Sequence, residues 1–310
     1  MKNRLDIFLF FECIMIILVK HYINDMKKII CTILKTATIF SIPACLTMRK
    51  SDQKIIKQLA KNGFEGQVLT YSFENKTMRY VISKPLDKDL TTILFIHGAP
   101  GSSTDFEDYL HDYELNQKAN LISIDRLGYG YSDFGKPQTS IQKQGESIEV
   151  LIDRINTPII LVGWSFGGPI AGQIALNKKD KIKNVIMLAP AISPKDERYF
   201  SIGKIAQKKL TKWLVPTPFI IAQEEKMKHE EELNRLQNEW HKLKTPILYL
   251  HGSNDKLVPY TGNINFAKKV FDKHYLQTKT IEGYGHIFPI TNKKVVKDEL
   301  LSILSSKNSL

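Results

Sequence analysis

The sequence predicts an α/β protein with a mostly parallel central sheet and helices on both of its faces. Two observations predict it. Short, predominantly apolar runs of strand length at Thr91–Ile96, Asn120–Ile124, Pro158–Val162 and Pro246–Leu250 lack the polar alternation of a half-solvated strand, so both of their faces are expected to be buried. Stretches at helical spacing separate them, and strands that alternate with helices pack as a parallel sheet under two helical layers. The 310 residues, 43% hydrophobic, suffice for one full core.

The elements follow in order. Gln67–Glu74 and Lys76–Lys84 alternate enough to form a strand pair, joined by a turn at Glu74-Asn75-Lys76. Thr91–Ile96 then runs into the loop His97-Gly-Ala-Pro-Gly-Ser-Ser103, and Asp105–Asn116 reads as a helix. Asn120–Ile124 is a strand, Ser140–Ile155 a helix, and Pro158–Val162 a strand that leads through Gly163-Trp-Ser-Phe-Gly167 into a helix at Pro169–Asn177. The charge cluster Lys178–Lys183 is expected to be a solvated helix end. From Ile192 to Thr245 there is no strand signal, only helical sequence interrupted at Val215-Pro-Thr-Pro218. Within it Ile202, Ile205, Ala206, Leu210, Trp213 and Leu214 share one helical face, expected to pack inward, and Lys226–Leu243 reads as a further helix. Strands at Pro246–Leu250 and Thr278–Glu282 and helices at Ile264–Phe271 and Asn292–Ser305 complete the chain.

A serine between two near glycines, at the turn from a strand to a helix, is a nucleophile-elbow pattern. The turn strains the backbone at Ser165, and side chains two residues either way must be almost absent. Downstream, Asp255 follows the strand Pro246–Leu250 in His251-Gly-Ser-Asn-Asp255, and His286 follows the strand Thr278–Glu282 in Gly283-Tyr-Gly-His286. Ser165, Asp255 and His286 thus stand in the chain order of a Ser-acid-His triad: His286 takes the proton of Ser165, and Asp255 fixes the imidazole tautomer. A tetrahedral intermediate also needs two donors at its developing negative charge, each worth about 3 kcal/mol on other enzymes. The candidates are the backbone N–H groups of Ala99 and Phe166. His97 is expected to scaffold its loop and not to act chemically.

Five blocks, His97-Gly-Ala-Pro-Gly101, Asp125-Arg-Leu-Gly-Tyr-Gly-Tyr-Ser132, Gly163-Trp-Ser-Phe-Gly-Gly168, His251–Asp255 and Gly283–His286, make the chain resemble the α/β-hydrolase superfamily of lipases, esterases and peptidases from about Gly66 onward. The resemblance implies that 192–245 is a small helical cap over the site, between core segments 46–191 and 246–310. It also implies that Asp125 fixes a turn. Serine at 165 excludes the aspartate-nucleophile branches, the haloalkane dehalogenases and epoxide hydrolases. Proline iminopeptidases share the Pro-Gly after the His-Gly turn and the Asp125 block, but differ around the elbow, where this chain has Trp164 and Phe166.

The expected function is therefore a serine hydrolase that cleaves a small-molecule ester or related acyl bond through an acyl-enzyme. An iminopeptidase-like aminopeptidase is the alternative. It would need an acidic site for a free amino terminus, for which Glu224, Glu225 and Glu230–Glu232 are candidates, although these carboxylates are expected to face solvent. A slow-turnover ligand-binding protein on the same fold is the third reading. No cofactor and no metal are expected, since the eight histidines are scattered and all three cysteines, Cys13, Cys31 and Cys45, precede the core. The +12 net charge is mixed along the chain without a nucleic-acid motif, so neither nucleic acid nor a protein partner is expected.

Residues 1–45 read as a leader or membrane anchor. Leu5–Val19 is apolar but short for a span of about 20 residues. Met26-Lys-Lys-Ile-Ile then begins a signal-peptide shape, with a basic start, an apolar middle to Ile42 and Pro43-Ala44-Cys45 at its end. The cysteine resembles that of a bacterial lipoprotein box. Export or anchoring in a bacterium is expected, with translation from Met26 and lipid on Cys45; an uncleaved anchor or a cytoplasmic chain is the alternative.

Overall fold

The computed structural model of the chain describes residue 28, residues 48–198, residue 213 and residues 215–306. The leader, with Met26 and Cys45, and the stripe Ile202, Ile205, Ala206, Leu210 and Leu214 lie outside the described residues.

The described chain opens with helix α1 (Asp52–Lys61) and the hairpin β1 (Gln67–Phe73) and β2 (Lys76–Ile82). Glu74 and Asn75 form its turn at φ of 46° and 63°, the left-handed pair that matches strand twist in a two-residue hairpin. Alternation follows: β3 (Thr91–Ile96), β4 (Ala119–Ile124), α2 (Ile141–Arg154), β5 (Ile159–Trp164), α3 (Gly167–Asn177) and β6 (Ile182–Leu188). After the intervening segment come α4 (Thr217–Leu236), β7 (Ile247–Gly252), α5 (Tyr260–Val270), β8 (Leu276–Ile281) and α6 (Lys293–Ser305). The eight strands form one sheet in the order β1-β2-β4-β3-β5-β6-β7-β8. From β4 to β8 every pairing is parallel, and β2 runs antiparallel to both of its neighbours.

Side-chain alternation divides the core in two. On β3, Leu94 and Ile96 pack with Ile122, Leu161 and the apolar faces of α2 and α3. Their neighbours Ile93 and Phe95 pack on the opposite face with Leu59 of α1 and Val296 and Leu300 of α6. A strand covered on both faces has no polar side, which is why these runs carry no alternation.

Several expectations are corrected. Asp105–Asn116 is not one helix: a 3-10 turn at Ser103–Phe106 leads into a short helix Glu107–Leu110, and a second short helix, Tyr113–Lys118, restarts where the Asp112 carboxylate accepts from the Leu115 amide at 3.0 Å. The Lys178–Lys183 cluster is more than a solvated helix end. Lys181 Nζ donates to the carbonyls of Ile152, Asp153 and Ile155 and so closes the C-terminus of α2, while buried Ile182 opens β6. The helix expected at Lys226–Leu243 begins earlier and ends earlier, over Thr217–Leu236. Pro218 stands in its first turn, where a missing N–H costs nothing, so the proline cluster starts this helix.

Two carboxylates of α4, Glu225 and Glu232, also depart from expectation, whereas Glu230 and Glu231 are exposed. Ile221, Glu225, Glu232, Leu233 and Leu236 recur at helical spacing and are buried on one face. Glu225 is fully buried. Its Oε1 accepts from Arg126 at 2.8 Å and from Gln144 at 3.1 Å, and its Oε2 accepts from Arg126 at 3.2 Å and from the Tyr129 hydroxyl at 2.6 Å. Glu232 Oε2 accepts from the Ile141 amide at 2.9 Å, at the N-terminus of α2. These two acids tie α4 to the sheet domain.

A buried ion pair that loses one partner leaves an uncompensated charge. Glu225→Ala is therefore expected to cost about 3–5 kcal/mol of unfolding free energy. Arg126→Met combined with Glu225→Leu should cost less than the single change; chemical denaturation of the three proteins checks both.

Candidate active site

Because β3 to β8 run parallel, the loops after them gather at one edge of the sheet. The turn after β5 carries Ser165, whose φ of 55° lies in the left-handed region. Close backbone packing surrounds it. A Cβ on Gly163 would stand 2.3 Å from the Gly167 carbonyl oxygen, and one on Gly167 would stand 2.3 Å from that of Ile96. Both glycines are needed because the turn presses α3 against β5 and against the end of β3.

Asp255, on the loop after β7, has a fully buried carboxylate. Its Oδ2 lies 2.7 Å from His286 Nδ1 and 3.1 Å from His251 Nε2, and its Oδ1 accepts from the amides of Leu257 and Val258 at 2.9 Å each. Burial opposes a charge there, but the hydrogen bonds from His251, His286 and the backbone outweigh it and hold the carboxyl well below the usual carboxylate range. A carboxylate only accepts, so His286 carries its proton on Nδ1 and leaves Nε2 as its basic nitrogen in the neutral form. The Trp164 indole donates to the His286 carbonyl at 3.1 Å and so fixes the backbone of that loop.

Ala99, Ser165, Phe166 and His286 all line one cavity of about 340 Å³, with Asp255 buried behind His286. The sequence-predicted residues of the core are thus brought together, and only Cys45 lies outside the described residues. The amides of Ala99 and Phe166 donate to no backbone carbonyl among the described residues. Phe219, Ala222, Gln223, Lys226 and His229 of α4 form the opposite wall. No group of three or more His, Cys, Asp or Glu side chains placed to hold a metal exists among the described residues.

His97 is fully buried. Its Nδ1–H donates to the Gly98 carbonyl at 2.7 Å, and its Nε2 accepts from the Arg126 amide at 3.0 Å. Burial, and then the Arg126 guanidinium, hold this imidazole neutral far below its ordinary value. Asp125 accepts from the amides of Ser103 and Tyr131 and from Arg79, and so fixes the loops after β3 and β4.

The neighbours of the candidate residues that the sequence did not single out are Arg126, His251 and His229. Arg126 donates to the carbonyls of His97 and Gly98, immediately before Ala99, while its other face holds Glu225. His251 receives the Tyr249 hydroxyl on Nδ1 and shares Asp255 with His286. His229 stacks on the Phe166 ring at 4.4 Å. Arg126 and His251 sit inside the sequence blocks that carry the family resemblance, so a signal for them existed. His229 had none, because a lone histidine in a charged helix looks solvated.

Two outcomes are expected from this geometry. Gly167→Ala must displace backbone, and is expected to lower stability by about 1–3 kcal/mol and the melting temperature with it. Asp255 is depressed in the folded state, so its contribution is complete above the unfolded value near ~3.9 and is lost as pH falls below it. The stability difference between the wild type and Asp255→Asn should therefore narrow as unfolding is measured from about pH 5 downward.

Two family models match the chain: the alpha/beta hydrolase fold over residues 91–204 and the prolyl oligopeptidase family over residues 151–304. Among curated proteins, "Probable lysophospholipase BODYGUARD 4" of Arabidopsis thaliana is 25% identical over 162 residues, covering 51% of this chain and 37% of that protein. The sn-1-specific diacylglycerol lipase ABHD11 of Mus musculus is 26% identical over 103 residues, 33% of each chain. The matches thus span little more than a third of these relatives. Among solved structures, a bacterial membrane phospholipase A superposes with a TM-score of 0.61 at 15% identity, covering 91% of this chain and 98% of that one, a likeness of fold. With its parallel sheet, its strand-turn-helix at Ser165 and these matches, the chain belongs to the alpha/beta-hydrolase superfamily.

Proposed function

We propose that the chain is a serine hydrolase that cleaves a carboxylic ester, or a related acyl bond, through an acyl-enzyme intermediate. The observation that carries this reading is the cavity shared by Ser165 and His286, with the imidazole held at Nδ1 by a buried, ionised Asp255. Ser165 Oγ attacks the acyl carbon while His286 Nε2 takes its proton, and the same proton passes to the leaving oxygen as the tetrahedral intermediate collapses. Water then attacks the acyl-enzyme with His286 again as base. The amides of Phe166 and Ala99 face the developing oxyanion, and Arg126 steadies the second of them through the carbonyls of His97 and Gly98.

The lipases among the relatives support an ester substrate. The match to the prolyl oligopeptidase family keeps an amide substrate as the second reading. The acidic site that an aminopeptidase needs is weakly supported, because Glu225 is fully engaged by Arg126, Tyr129 and Gln144. Export with lipid on Cys45 extends the proposal and rests on the leader sequence alone.

On a nitrophenyl ester series, turnover is expected to fall by roughly 10⁶-fold in Ser165→Ala and by roughly 10⁴-fold in Asp255→Asn. Activity that survived in Ser165→Ala would sink the assignment. A fluorophosphonate probe should label the wild type and leave Ser165→Ala unmarked.

A further inference from the structure

His251 stands at the end of β7, ahead of Asp255 on the same loop, and is fully buried. It does not line the cavity, so its effect on the reaction must pass through another residue. Its Nε2 lies 3.1 Å from Asp255 Oδ2 and 3.1 Å from the Val258 carbonyl oxygen. A carbonyl only accepts, and so does the ionised Asp255, so Nε2 carries a proton whether the ring is neutral or cationic. The rest of the ring is closed in. The Tyr249 hydroxyl lies 3.0 Å from Nδ1, and the Tyr260 ring of α5 meets the imidazole edge-on at 5.6 Å. Tyr249, Tyr260 and Asp255 are the titratable groups that face it among the described residues.

Asp255 Oδ2 therefore accepts from two imidazoles, at 2.7 Å from His286 Nδ1 and at 3.1 Å from His251 Nε2. The two donors compete for one oxygen. A hydrogen bond to a carboxylate favours its charged form and draws electron density from it. An acid held more firmly in that form pulls less on the proton it shares with His286, and an imidazolium at His286 gains less from it. His286 is thereby a weaker base and stays ready to take the Ser165 proton in more acidic solution. A positive charge on His251 would act in the same direction, by repulsion. The carboxylate does not need His251 to stay in place, because the Leu257 and Val258 amides hold Oδ1 at 2.9 Å each. Removing the His251 donor thus changes the strength of the acid more than its position.

We infer that His251 is a positioning residue that acts on His286 through Asp255: as a second donor to Oδ2 it weakens His286 as a base and extends the reaction towards acid pH. The inference rests on the serine-hydrolase reading of the same triad.

The test uses a fluorophosphonate, whose labelling of Ser165 needs an unprotonated His286 and no knowledge of the natural substrate. The second-order labelling rate of the full chain is measured against pH, and its acid limb reads the protonation of His286. In His251→Phe, which keeps a ring but offers no donor, the limb is expected to move up by roughly 0.5–1 pH unit. In His251→Gln, whose side-chain amide restores a neutral donor, the limb should return most of the way. His286 also faces the Trp164 ring, and Lys226 and His229 of α4 share its cavity. Both variants leave these groups in place, so they produce no difference between the curves. A merely structural role would lower the yield of folded protein or the plateau rate and leave the limb where it was. A limb that stays or moves down in folded His251→Phe overturns the inference, as does an equal shift in both variants. If His251→Phe does not fold, the wild type decides. Nitrogen-15 NMR of the histidine rings should show a proton on His251 Nε2 at every pH from about 5 to 8, and an Nε2 without one overturns the inference. A wild type that is labelled at no pH brings down the hydrolase reading and this inference together. Labelling with an unchanged limb brings down this inference alone.

Discussion

The close backbone approach at the turn after β5 is the constraint on which the rest of the site depends. Gly163 and Gly167 let the α3 backbone come into van der Waals contact with β5 and with the end of β3, and Ser165 is held at φ 55° between them. Because β3 and β5 are adjacent and parallel, that contact also brings the loop from His97 to Gly101 beside the serine. A Cβ on Gly98 would stand 3.0 Å from that of Ser165, so loop and nucleophile turn are packed against each other directly. The positions of Ser165 and of the two residues that carry the candidate oxyanion amides follow from one arrangement of backbone.

A second layer fixes what the backbone contact leaves loose. Arg126 binds the loop of the first oxyanion amide through the His97 and Gly98 carbonyls and binds α4 through Glu225. Its guanidinium also lies 4.8 Å from the Phe166 ring, whose stacking partner is His229. One buried cation therefore joins the loop after β3, the residue after the nucleophile and the helix that walls the cavity. Such a pair contributes little net stability by itself, since desolvation offsets most of its attraction; its effect is on geometry. The network pairs both oxygens of Glu225 and so holds Arg126, Tyr129 and Gln144 in register about it.

The two histidine–carboxylate pairs of the cavity differ in what surrounds them. Asp255 has four donors converging on it, from His286, His251, Leu257 and Val258, so its charge is fully compensated within the core domain. Glu197 has His229 and Lys226 and lies at the α4 wall. The first pair lies on the loops after β7 and β8 and the second at α4, and one histidine of each, His286 and His229, lines the cavity.

Much of this was legible in the residues themselves. The strands β3, β4, β5 and β7, the hairpin turn at Glu74-Asn75 and the positions of Ser165, Asp255 and His286 can be read along the chain, because strand runs, turn chemistry and glycine requirements act over a few residues. The broken helix at Ser103–Lys118, the true start of α4 and strand β6 were not, since each is decided by contacts from elsewhere or by one capping carboxylate. The pairings of Glu225 and His229 on α4 were least legible. Charged residues in a helix read as solvated by composition, and only the tertiary structure decides which of them meet a partner 99 residues away at 2.8 Å. Local sequence thus determined the fold class and the order of the candidate triad, because short-range backbone preference and burial suffice for these. Tertiary structure decided which buried charges are paired, because desolvation and hydrogen bonding depend on distances that no spacing along the chain encodes.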